Sequence, residues 1–109
     1  MTETVKFEDL LLEVTIPDHG ITSRALMSDD ATRVVIFGFD AGEELSEHTA
    51  AMPAILQVLS GEAKLKLGDT DMDAKPGSWV YMPANLPHTV LATKPLVMLL
   101  TLLKAAKPA

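Results

Sequence analysis

Short apolar runs, cut at close intervals by proline or glycine, make up most of this chain. The breaks fall at Pro17, Gly20, Gly38, Gly42, Pro53, Gly61, Gly68, Pro76, Gly77, Pro83, Pro87 and Pro95. Runs this short, rich in Val, Ile, Leu and Phe and bounded by turn formers, predict an all-β sandwich or barrel. The firmest strand follows the Asp29-Asp30 turn and reads Arg33-Val-Val-Ile-Phe-Gly-Phe39. Ala63, Leu65 and Leu67 alternate with Glu62, Lys64 and Lys66, which gives one dry and one wet face. Gly68-Asp69 turns the chain into a strand from Thr70 to Ala74, and Lys75-Pro76-Gly77 into another from Ser78 to Met82. Leu96 to Leu103 is apolar on both faces, so both must be covered. Only Val5 to Val14 is ambiguous. Phe7, Leu10, Leu11 and Val14 keep helical spacing, and the segment reads as a short N-terminal helix or as a strand.

At 109 residues the chain fits one domain, 1–109, with the barrel core expected at about 33–103. An apolar fraction of 48% is enough to fold without staples, and the absence of cysteine removes disulfides and thiolate ligands. Histidine, carboxylate and amide are left as metal donors. A net charge of −6 with no basic cluster argues against a nucleic-acid partner. No charged leader precedes an apolar core, and Leu96 to Leu103 is too short to span a bilayer, so a cytoplasmic protein with no membrane partner is expected. The doubly apolar 96–103 strand predicts a homodimer, since a second subunit would cover it.

Two glycine-led blocks lie between Gly42 and Ala92, and each holds one histidine. The first reads Gly42-Glu-Glu-Leu-Ser-Glu-His48 and closes at Gly61. The second reads Gly77-Ser-Trp-Val-Tyr-Met-Pro83-Ala-Asn85-Leu-Pro87-His88. Histidines on separate short strands converge only where a sheet curls back on itself. That predicts a small barrel with a polar spot in an apolar interior. Triad chemistry has no support, because there is no cysteine and no serine set beside a histidine and an acid.

In these blocks the chain resembles the cupin superfamily, and within it the small single-domain, RmlC-like cupins of the conserved-barrel type. The family's first motif runs glycine, five residues, His-x-His, then a glutamate and a second glycine. Gly42, His48 and Gly61 match it, while Ala50 stands at the second histidine and Ala54 at the glutamate. The second motif runs glycine, five residues, Pro-x-Gly, two residues, His, and three residues to an asparagine. Gly77, Pro83 and His88 match, with Asn85 at the glycine and Ala92 at the asparagine. The resemblance implies a double-stranded β-helix, a jelly-roll barrel. It also implies one divalent metal (Fe, Mn, Ni or Zn) held by the motif histidines and the glutamate. Of that set only His48 and His88 carry over, so the resemblance implies a degenerate metal site.

Beside the pair, Gln57 is a candidate ligand-binding residue. If the strand runs through Gly61 without a change of parity, Gln57 shares the buried face of Ala63, Leu65 and Leu67; a bulge at Ser60-Gly61 would turn it to solvent. Trp79 and Tyr81 share one strand face and belong to the barrel wall, an interface or the ligand pocket. Glu47 next to His48 points to the opposite face on a regular strand, and His19 sits in a turn with no partner spacing. Three functions compete. The leading one is a barrel that binds a small organic ligand, with a weakly held metal or none, through His48 and His88. The alternatives are a metal-dependent cupin enzyme of the dioxygenase or isomerase type and a structural dimer with a vestigial pocket.

Overall fold

The computed structural model describes residues 3–104. Among them are β1 (Ile21–Ser28), β2 (Thr32–Phe39), β3 (Glu44–His48), β4 (Ala54–Ser60), β5 (Ala63–Leu67), β6 (Thr70–Ala74), β7 (Trp79–Met82), β8 (His88–Ala92) and β9 (Leu96–Leu103). They form two antiparallel sheets, a five-stranded one in the order β1-β2-β9-β4-β7 and a four-stranded one in the order β3-β8-β5-β6. From β2 onward the chain changes sheet at every connection except the β5–β6 hairpin, which turns at Gly68-Asp69. This alternation winds the strands into the expected jelly roll. No helix among the described residues is long and apolar enough to cross a membrane.

The N-terminal segment is neither a full helix nor a strand. Leu10–Glu13 makes a single 3-10 turn, capped by Asp9, whose carboxylate accepts the Leu11 amide at 3.0 Å. A turn this short buries nothing of its own, and Val14 leaves it extended. The following residues lie flat on the sheet instead. A Cβ at Gly38 would sit 3.2 Å from the Thr15 carbonyl oxygen and 3.3 Å from Val14, so glycine lets this segment seat closely.

The core lies between the sheets and is filled by alternate residues of each strand. Phe39, Leu56, Leu65, Val90, Leu96 and Met98 are its largest fully buried members besides Ile36. Register places β9 between β2 and β4, with Met98 opposite Phe37 and Val58, and Leu100 opposite Val35 and Leu56. Those residues face the core. Val97, Leu99, Thr101 and Leu103 face outward, which accounts for a strand apolar on both sides. The sheets join tightly at Gly61 (φ +83°), where a Cβ would run into the Pro95 carbonyl and come within 2.8 Å of the Leu96 Cα.

Candidate functional site

His48 ends β3 and His88 opens β8, in separate sequence blocks but on adjacent strands of one sheet. They sit directly opposite each other in the ladder, with ring centroids 4.1 Å apart and ring planes 58° apart. A one-residue bulge makes this possible. Leu45 pairs with Val90, and the next registered pair is His48 with His88, so Ser46 and Glu47 together oppose Thr89 alone. On a regular strand His48 would have parity opposite to the inward Leu45. The extra residue restores it to the face that carries His88 and Val90.

The two rings are held alike and exposed differently. His48 Nδ1 donates to the Ser46 carbonyl at 2.8 Å, and His88 Nδ1 donates to the Leu86 carbonyl at 2.9 Å. A carbonyl oxygen can only accept, so in each neutral ring Nδ1 carries the proton and Nε2 keeps a bare lone pair. His88 is buried, at 7% exposure, while His48 is exposed at the end of β3. Across β8, Leu67 of β5 flanks His88 on the side away from His48. Val90, two residues on along β8, and Met82 are members of the buried core, and Leu86 packs against it. Backbone bonds fix the strand ends: Asn85 N–H to Ala50 O at 2.7 Å, Gly68 N–H to Pro87 O at 2.8 Å, and Gly42 N–H to Ala92 O at 2.7 Å. Asn85 takes φ 66°, the left-handed conformation that asparagine tolerates best after glycine, so it can stand where the family motif has glycine.

The other expected site residues do not join the pair. Gln57 alternates with buried Ala54, Leu56 and Val58, and it pairs laterally with Trp79 and Leu99. Its side chain therefore belongs to the outer face of the five-stranded sheet. The reason is a register shift between Val58 and Ser60, which changes parity before β5 begins. Trp79 and Tyr81 share that outer face, at 55% and 49% exposure, so of the three places open to them it is the outer wall that they occupy. Glu47 lies in the β3 bulge, and His19 is solvated, 3.7 Å from Asp40. What sequence reasoning missed are the Ser46 and Leu86 carbonyls, each two residues before its histidine. Any residue type supplies a carbonyl, so only that repeated spacing could have revealed them.

The donor set decides whether a resident metal fits. Among the described residues no three His, Cys, Asp or Glu side chains come together as metal ligands. Two neutral imidazoles supply two donors and no charge, where a divalent ion takes four or more donors and usually a carboxylate. Ala54 faces inward and buried at the position of the motif's glutamate, and Ala50 holds that of its second histidine. The residues present therefore do not fit a resident divalent ion by themselves.

Comparison with known proteins agrees with the fold. The profile of the Cupin domain family matches residues 35–102. The chain belongs to this family. It is similar to a conserved protein of unknown function from Streptococcus pyogenes, with 29% identity, 97% of this chain and 93% of that one covered, and a TM-score of 0.84. A Cupin 2 conserved barrel domain protein from Leptotrichia buccalis shares 33% identity over 86% of this chain and 46% of its own, with a TM-score of 0.80. The DMSP lyase DddQ from Ruegeria pomeroyi has the same fold at 20% identity, covering 83% of this chain and 50% of that one, with a TM-score of 0.73. No curated protein sequence matches the chain.

Proposed function

We propose that this cupin binds a small organic molecule directly through the His48–His88 pair. One observation carries the reading: both Nδ1 protons are committed to backbone carbonyls, which leaves two Nε2 acceptors on adjacent strands. Such a pair selects a ligand that presents two hydrogen-bond donors. Leu67, registered against His88 on β5, favours an apolar body behind those donors. A diol on an aromatic or aliphatic frame meets both demands. An ion of Fe, Mn, Ni or Zn held weakly at the two imidazoles would have to draw its remaining donors from the ligand and water.

The test is binding of catechol and of veratrole, its dimethyl ether, followed by ligand-observed NMR. The two have similar shape, but veratrole lacks both O–H donors. Catechol is expected to bind, and veratrole to bind at least tenfold more weakly, the equivalent of about 1.4 kcal/mol. The exposed His48→Ala variant should weaken catechol without unfolding the barrel. Equal binding of the two probes, or unchanged binding to His48→Ala, would overturn the reading.

A further inference from the structure

Between β7 and β8 the chain makes a turn that carries the acceptor for His88. The Leu86 amide donates to the Pro83 carbonyl at 3.3 Å and closes a four-residue turn with Ala84 and Asn85 in the middle. Asn85 is at φ 66°, and no other residue of the turn has a positive φ. That is the sign pattern of a type II turn, whose third position glycine and asparagine enter at least cost. Asn85 is exposed, so burial makes no demand on its side chain. The demand is on its backbone.

What the turn aims is the Leu86 carbonyl, 2.9 Å from His88 Nδ1. The residues on either side of Leu86 are pinned to different parts of the barrel. Asn85 N–H donates at 2.7 Å to the carbonyl of Ala50, just past His48, and the Pro87 carbonyl accepts Gly68 N–H at 2.8 Å from the β5–β6 hairpin. Pro87 adds a third restraint. A residue before proline is held out of the helical region, which narrows the rotation that sets the direction of the Leu86 C=O. The Leu86 side chain is seated closely as well, since a Cβ at Gly68 would lie 3.2 Å from its Cδ1. The Ser46 carbonyl that holds His48 belongs to another segment, the β3 bulge.

We infer that Asn85 is a positioning residue for the histidine pair: its left-handed backbone aims the Leu86 carbonyl at His88 Nδ1 and so keeps the Nε2 lone pair for a ligand. The geometry stands by itself, and the consequence for a ligand rests on the binding function proposed above. A neutral imidazole carries one proton, and the hydrogen bond made by one nitrogen decides where it sits. Without the Leu86 carbonyl in place, nothing reserves that proton for Nδ1. A His88 ring protonated at Nε2 would point a donor at the ligand's own donor, and a diol would keep one acceptor, on His48, where it had two.

The experiment compares Asn85→Gly with Asn85→Val in the full chain. Glycine enters φ 66° freely, whereas a β-branched residue is strongly disfavoured there. Long-range proton–nitrogen NMR should find the neutral His88 ring protonated at Nδ1 in the unaltered and Asn85→Gly proteins, and mainly at Nε2 in Asn85→Val. His48, held by Ser46, should keep its tautomer in all three. Catechol should bind Asn85→Val about fivefold or more weakly than the unaltered protein, and Asn85→Gly within about twofold of it. Asn85→Ala, a milder strain, makes the same comparison where Asn85→Val does not fold. A folded Val or Ala variant that keeps its His88 proton at Nδ1, or a Gly variant that loses it, would overturn the inference. Catechol failing to bind the unaltered protein would overturn the binding function alone, and the tautomers would still decide the role of Asn85.

Discussion

β3 and β8 each present one histidine to the same spot, yet they reach it by opposite means. β8 is regular and alternates inward His88, Val90 and Ala92 with outward Thr89 and Leu91, so its histidine is buried as a matter of parity. β3 has a single half-buried residue, Leu45, and needs a bulge at Ser46-Glu47 to turn His48 inward. The consequence is a pair that is alike in hydrogen bonding and unlike in setting. One imidazole is part of the barrel wall and the other is open to solvent. β8 is shaped by the core, and β3 by its bulge.

That contrast can be broken by supplying what the pair lacks. Ala50→His with Ala54→Glu would add an imidazole and a carboxylate beside the existing rings. The doubly substituted protein is expected to bind Ni or Zn at one ion per chain by calorimetry and elemental analysis, where the unaltered protein retains none after dialysis. Failure of the double variant to gain metal while remaining folded would mean that His48, His88 and the two alanines do not share a cavity. It can also be sharpened by removing each ring in turn. His88→Ala empties a buried position and strands the Leu86 carbonyl, a loss of about 2 kcal/mol in denaturant unfolding. His48→Ala, at the exposed end, should change stability by about 0.5 kcal/mol or less. Equal losses from the two would erase the distinction between the buried ring and the open one.

Much of the barrel was legible because its strands are written in alternation and its turns in glycine and proline. The run 63–67, the hairpin at Gly68-Asp69, the strand from Thr70 to Ala74 and the two-faced Leu96–Leu103 all fall where the pattern puts them. The N-terminal segment was not legible, since Phe7, Leu10, Leu11 and Val14 have helical spacing, yet only a single 3-10 turn that buries none of its residues forms there and Val14 leaves it extended. Parity across an irregularity was the other gap. The shift after Val58 sends Gln57 outward, and the bulge before His48 sends that histidine inward; neither is marked by a residue type. His48 and His88 were found through motif spacing, which carries the bulge within it. Trp79 and Tyr81 were read correctly as sharing a face, but the face is the outer one. Pairing with Gln57 and Ile55 decides that, and pairing is a property of the fold.

The most direct measurement is a long-range proton–nitrogen NMR correlation on uniformly labelled protein near neutral pH. The account predicts that the neutral rings of His48 and His88 both carry their proton at Nδ1, with unprotonated Nε2 resonances that move when catechol is added. Rings protonated at Nε2, or Nε2 signals indifferent to catechol at concentrations where it binds, would contradict it.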